Sequence, residues 1–285
     1  MYYVNGRYVK KEDALISVLD LSVLRGFGVF DYLRTYQGRP FHLEEHLMRL
    51  RYSVEQLGME LPLSFAEIET IVLRLKELNS LYEASIKIIV TGGISDDQFI
   101  PHQKPTLIIL VSPLKAYAQE CFTQGIDVIT TQLSRSLPMS KTIQYTPAIV
   151  ALQKSRAKEA LYLNTQGEIL EATTSNFFAF KQKTLYTCNS EEILMGITRE
   201  VVLQLATPLF PLELRSIRYE ELPEIDEAFI TASNKEVMPV ISIDGIPIGN
   251  GQVGPLTEQL MCLFHSYTKQ ESWPFLNISR YALNP

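Results

Sequence analysis

EATTSNFFAF, residues Glu171 to Phe180, sets one carboxylate, three hydroxyls and an amide directly in front of an apolar run that reads as a buried strand. One reading is a polar turn feeding a strand, a common arrangement in domains of this size. The other is a single acid held among small polar groups because a ligand needs it there. The rest of the chain decides between them.

The 285 residues, 46% of them hydrophobic, suffice for a full core and predict one large domain or two modest ones. A net charge of -6, with Lys and Arg scattered, offers no field that would gather phosphate backbones or an anionic membrane, so nucleic acid is not an expected partner. No apolar run reaches membrane-spanning length, and MYYVNGRYVKKEDA lacks the apolar core of a signal peptide, so a cytoplasmic protein is expected. Cys121, Cys188 and Cys262 are odd in number and widely spaced, which suggests reduced thiols and no zinc knuckle. His42 and His46 have the i,i+4 spacing that can bind metal, but no third ligand follows and no metal is expected.

The opening YYVNGRYV reads as a hairpin turning at Asn5-Gly6. Leu43, Leu47, Leu50, Val54 and Leu57 recur at helical spacing from His42 to Gly58, and the capping box Ser64-Phe65-Ala66-Glu67 announces a second helix to Asn79. Two strands, SIKIIVT and TLIILV, flank a long loop from Gly92 to Pro105. The texture then loses its period, which divides the chain into an α+β domain over 1–113, a connection over 114–124 and a second α+β domain over 125–285. In the second, Thr146-Pro147 opens a helix, strands dominate to Thr187, GITREVVLQLA forms a helix with Thr198 at its start, PVISIDGIPIG turns at Asp244-Gly245, and a last helix begins near Pro255. Strands and helices mix irregularly instead of as βαβ units, which favours α+β architecture. The start of GITREVVLQLA, with its N–H groups and the Thr198 hydroxyl, suits an anion or simply water.

Glu171 to Asn176, then Phe177-Phe178, Leu185-Tyr186-Thr187 and Leu194-Met195-Gly196-Ile197-Thr198-Arg199 together resemble the signature of the class IV (fold type IV) pyridoxal-phosphate enzymes. The likeness runs through VNGRYV, RGFGVFDYLRTY, HLEEHLMRL, SKTIQY and ITASNKEVMPVISIDG. That family includes branched-chain aminotransferases, D-amino-acid aminotransferases and aminodeoxychorismate lyases. The resemblance implies a two-domain α+β fold with pyridoxal 5'-phosphate between the domains, a homodimer, and a Schiff-base lysine in the C-terminal domain. Such a cofactor is an electron sink only while its ring nitrogen is protonated, so a carboxylate must face that nitrogen, and Glu171 is the matching residue. The small residues through Ser175 let the chain pass close to ring and phosphate, and Asn176 locks the turn.

Lys141, inside SKTIQY, matches the Schiff-base lysine, the one catalytic residue the resemblance assigns. Tyr145 matches a tyrosine that hydrogen-bonds the cofactor's phenolic oxygen in many relatives, a core aromatic being the other reading. Arg49 in HLMRL matches the phosphate arginine, against the alternative of a solvent-facing helix residue. Leu194 against the ring, and Ile197, Thr198 and Ser233 at the phosphate, complete the implied cradle.

Substrate residues depart from the subgroups. Branched-chain enzymes resemble one another in a Y-G-x-x-x-F-E-x-x-R segment; here Phe30 and Arg34 are kept, but Arg25 replaces Tyr and Asp31 replaces Glu. D-amino-acid enzymes resemble VTRG where this chain has Val90-Thr91-Gly92-Gly93, so Gly92 removes the arginine expected to grip a D-substrate's carboxylate. Arg25 offers a cation for a carboxylate, and Asn234 lies beside Ser233 on the substrate side. These features imply transfer of an amino group between an amino acid and a 2-oxo acid through a Schiff base on Lys141, with an L-amino acid favoured, the branched-chain type included. Aminodeoxychorismate lyase, releasing pyruvate and 4-aminobenzoate, is the alternative, and a cofactor-binding protein without turnover the remote one.

Overall fold

The computed structural model describes residues 1–155 and 157–281. The chain forms two compact units: Met1–Lys115 with Ser140–Gln144 and Asn277–Pro285 make the first, Ala116–Met139 with Tyr145–Leu276 the second. The first division of the chain follows Lys115. The units are not two contiguous blocks, however: Lys141, expected in the C-terminal domain, lies in a five-residue segment that belongs to the first unit. The reason is hydrogen bonding described below.

The first unit contains β1 (Tyr2–Val4), β2 (Arg7–Val9), α1 (Leu21–Arg25), β3 (Gly28–Tyr36), β4 (Arg39–Pro40), α2 (Leu43–Gln56), α3 (Phe65–Leu78), β5 (Ala84–Thr91) and β6 (Thr106–Pro113). Its sheet runs β2-β1-β6-β5-β3-β4. The first hairpin turns at Asn5 (φ 42°) and Gly6 (φ 85°), left-handed positions that Asn and Gly adopt most readily. The capping box at Ser64 and Glu67 starts α3 as the sequence predicts. Strand alternation puts Val29, Asp31 and Leu33 of β3 and Ile86, Ile88 and Val90 of β5 in buried positions, and Leu47, Leu50 and Val54 of α2 pack into the same core. Asp31 is thus a carboxylate in a row of core residues.

The second unit contains α4 (Glu120–Thr123), β7 (Ile126–Thr131), α5 (Thr146–Ser155), β8 (Ala160–Leu163), β9 (Glu168–Ala172), β10 (Asn176–Lys181), β11 (Thr184–Thr187), α6 (Ile197–Ala206), β12 (Leu212–Glu213), β13 (Ile217–Arg218), β14 (Glu227–Ala232), β15 (Glu236–Ile243), β16 (Ile246–Pro247) and α7 (Pro255–Thr268). Its sheet follows β12-β11-β10-β14-β15-β7-β8-β9-β13. One further pair, Glu171 with Asn176, joins β9 to β10 and closes the path from β10 through β14, β15, β7 and β8 back to β9 into a ring. The stretch 171–176 is therefore a strand, a turn and the closure of a sheet at once. Two crossovers depart from the irregular pattern read in the sequence: β7 and β8 pair in parallel with α5 between them along the chain, and β11 and β12 with α6 between them. Among the described residues no helix is long and apolar enough to cross a membrane, and no group of three His, Cys, Asp or Glu side chains could hold a metal ion.

Candidate active site

In the first unit the lysine segment is fastened to β3. The Phe30 N–H donates to the Lys141 carbonyl at 2.9 Å, the Ile143 N–H donates to the Gly28 carbonyl at 3.1 Å, and Thr142 bridges Val29. These bonds use the stretch of β3 that β4, paired only at Thr35 and Tyr36, does not reach. They explain why Ser140–Gln144 counts with the first unit. The Lys141 N–H donates to the Ser53 Oγ at 3.1 Å. The Lys141 ammonium lies 5.0 Å from the centre of the Phe30 ring, and that of Lys87 5.4 Å from the same ring. Phe30 and Arg34 alternate with the buried row of β3; Arg34 is half-buried with its guanidinium 4.2 Å over Tyr36.

Arg49 is not a solvent-facing helix residue. It is buried on α2, and its Nε and Nη2 donate to the Asp31 Oδ2 and Oδ1 at 2.9 and 2.8 Å, a two-point contact between planar groups. His46 approaches the Asp31 Oδ1 with Nδ1 at 2.6 Å. Burial alone would push the Asp31 carboxyl up, but Arg49 and His46 outweigh it and hold it well below the usual carboxylate range. Burial, the largest influence, with Arg49 beside it, holds His46 below its ordinary value. A neutral His46 then donates from Nδ1, and its Nε2 has no partner among the described residues.

In the second unit Glu171 is buried on β9 with both carboxylate oxygens engaged. Its Oε2 accepts from the Leu194 N–H at 3.1 Å and from the Asn176 amide at 3.4 Å, and its Oε1 from the Arg135 Nη1 at 3.2 Å. The Asn176 amide also donates to the Leu194 carbonyl at 2.7 Å, so this side chain ties the 171–176 turn to the segment entering α6. A Cβ on Gly196 would lie 2.1 Å from the Asn176 Oδ1, which leaves glycine as the residue that fits. Leu194, expected against a ring by its side chain, contributes both main-chain groups to this lock. Gly196 caps α6 without a side-chain acceptor, and Ile197 and Thr198 in the first turn are buried.

Arg135 had no signature in the sequence. Burial would pull its guanidinium down, but Glu171, with Tyr145 next, more than offsets this. Tyr162 is pushed up by burial first and then by Glu171. The three hydroxyls of the opening stretch serve a second unforeseen acid. Thr173 and Thr174 donate to the Glu159 carboxylate, joined by the Thr174 N–H at 3.1 Å and the Ser175 Oγ at 3.4 Å. The Lys235 Nζ neutralises Glu159 at 2.7 Å and reaches the Thr174 Oγ1 at 2.7 Å, with both charged side chains buried. Coulomb attraction to Glu159 raises Lys235 against the opposing effect of burial. Lys235 follows Ser233 and Asn234, both half-buried, in the turn between β14 and β15.

Arg25 ends α1, exposed, with its Nη1 donating to the Leu24 carbonyl at 2.9 Å. Gly92 is buried, and a Cβ there would lie 2.9 Å from side-chain carbons of both Leu21 and Phe27.

Residues 28–243 match the protein family described as amino-transferase class IV. A Methanocaldococcus jannaschii protein provisionally named a branched-chain-amino-acid aminotransferase is 35% identical over 271 residues, 90% of this chain and 93% of its own. A D-alanine aminotransferase of Staphylococcus epidermidis is 32% identical over 95% of this chain and 98% of its own, and the aminodeoxychorismate lyase of Bacillus subtilis 32% over 94% and 95%. The crystal structure of the Escherichia coli branched-chain amino acid aminotransferase superposes with a TM-score of 0.89 at 27% identity, covering 96% of this chain and 97% of that one. A second branched-chain amino acid aminotransferase, from T.th. and solved with pyridoxamine 5'-phosphate, superposes at 0.86 with 26% identity, over 94% and 93%. With the family match over residues 28–243 and relatives 35% and 32% identical over at least nine-tenths of the chain, the chain belongs to the class IV aminotransferase family.

Proposed function

We propose that the chain is a pyridoxal 5'-phosphate-dependent aminotransferase with Lys141 as its catalytic residue, moving an amino group between an L-amino acid and a 2-oxo acid. The observation that carries this reading is the Glu171 carboxylate: buried, and held by Arg135, the Leu194 N–H and the Asn176 amide, it is a fixed acid of the kind a ring nitrogen needs to stay protonated. The donor sets fit such a cofactor: in the second unit the uncapped start of α6 at Ile197 and Thr198, with Ser233, would offer donors to its phosphate, and in the first unit Arg49 would offer a guanidinium. When bound, the cofactor supplies an electron sink for the carbanion at the substrate's α-carbon. Lys141 would take the α-proton on Nζ and return it, Glu171 would keep the ring nitrogen protonated, and Tyr145 would be the hydrogen-bond partner for the phenolic oxygen.

Gly92 supports an L-amino acid donor, because an arginine side chain there would have to displace Leu21 and Phe27. Phe30, Arg34, Asn234 and the exposed Arg25 are the proposed substrate contacts. A homodimer is supported by the exposed apolar side chains Leu15, Val18 and Phe99 of the first unit, and cytoplasmic residence is consistent with three unpaired cysteines. The aminodeoxychorismate lyase relative keeps pyruvate release as the competing outcome. A single-turnover screen of L-amino acids, D-amino acids and aminodeoxychorismate, read by the cofactor spectrum, tests the assignment. Conversion by L-amino acids supports it, and release of pyruvate and 4-aminobenzoate with no amino-acid half-reaction overturns it.

A further inference from the structure

Ser53 sits in the interior of α2 with no exposed surface. A helix-interior serine is a poor helix former whose hydroxyl must find partners when buried, and Ser53 uses its hydroxyl twice. It donates to the Arg49 carbonyl one turn back at 2.9 Å, and it accepts from the Lys141 N–H at 3.1 Å. The Lys141 carbonyl is held from the other side by the Phe30 N–H at 2.9 Å. The next residue of β3, Asp31, grips the Arg49 guanidinium. Two adjacent residues of one strand and one serine thus fix Lys141 and Arg49 in a single frame.

We propose that Ser53 is a positioning residue: its hydroxyl sets the main chain of Lys141 in register with the helix turn that carries Arg49, so that the Lys141 amine meets the aldehyde of a phosphate-anchored cofactor. This rests on the pyridoxal-phosphate reading above. Without the hydroxyl, the Lys141 N–H loses this acceptor and the alignment it imposes, while Arg49 and its carboxylate stay in place. A small residue chosen merely to let α2 pack near the lysine segment would be replaced by alanine without consequence.

The two roles separate with Ser53→Ala, which removes one oxygen and improves helix propensity, so a thermal midpoint close to that of the parent is expected. Apo protein is titrated with pyridoxal 5'-phosphate and reduced with borohydride: the Lys141 amine condenses with the aldehyde, losing one water, and borohydride delivers the hydride that makes the link permanent for peptide mapping. The same protein is titrated with 4-deoxypyridoxine 5'-phosphate, which has the ring and phosphate but no aldehyde. Loss of the bond from the Lys141 N–H predicts a fall of about fivefold to tenfold in affinity for the aldehyde compound, with proportionally less label on Lys141 below saturation. Affinity for the deoxy compound should change less than about twofold, because Arg49 keeps Asp31. An equal fall for both compounds, or no fall for either, overturns the positioning role. Label absent from Lys141 in the parent protein would instead overturn the cofactor reading, and this inference with it.

Discussion

Lys141 and Glu171 are held in opposite ways. The lysine is aimed by its backbone, with N–H on Ser53, carbonyl on Phe30 and flanking residues along β3. The glutamate is gripped by its side chain, with Arg135, Asn176 and the Leu194 N–H donating to its two carboxylate oxygens. On the proposed function, the difference follows from what each group would do. An amine that exchanges bonding partners during turnover is best oriented from behind, whereas a carboxylate whose task is to remain charged is best fixed at the charge itself.

The strongest way to break the comparison is Lys141→Ala. Turnover should fall by several orders of magnitude because covalent and proton-transfer roles vanish together, while the main-chain bonds to Ser53 and Phe30, which do not depend on the lysine side chain, should keep the segment folded; stopped-flow rates and a thermal melt read the two effects separately. Next is Asp31→Asn, which leaves Arg49 buried beside a neutral group and should cost about 3–5 kcal/mol in urea denaturation. The sign with pH is fixed. A carboxyl depressed in the folded state adds stability that is complete above its ordinary value of 3.8 and is lost as pH falls through the folded value, so the parent should lose this increment on acidification and the Asn variant should not.

Glu171→Gln should lower the rate by roughly a hundredfold or more with the cofactor largely retained, and parental rates would detach Glu171 from the ring nitrogen. The smallest effect belongs to Arg135→Gln. Glu171 keeps the Leu194 N–H and the Asn176 amide, so stability should drop by about 1–2 kcal/mol and the rate by less than in Glu171→Gln. If the two variants lose rate equally, Arg135 is as important to the electronics as the carboxylate it supports.

The helices α2 and α3, the Asn5-Gly6 and Asp244-Gly245 turns and the class IV signature were legible because each is written in neighbouring residues, as a period, a cap or a turn pair. Arg135, Glu159 and Lys235 were not. Their partners lie 36 residues away for Arg135 and Glu171, and 61 for Lys235 and Thr174, and a charge paired across such a gap looks locally like any surface charge. The same limit hid the true extent of the first unit. Nothing in SKTIQY marks it as an addition to the edge of β3, and nothing in TTS marks its hydroxyls as partners of the buried Glu159 carboxylate.

Tyr281, without exposed surface and set edge-on to Tyr52 at 5.1 Å, belongs to the first unit although nearly the whole chain separates the two rings. On the ribosome this reverses the usual order of events. The first unit, most of it made before residue 116, waits for residues 140–144 and again for residues 277–281. The second unit receives all its residues before the first is complete. A nascent chain halted after residue 276 should therefore protect the second unit from protease before the first reaches its final resistance.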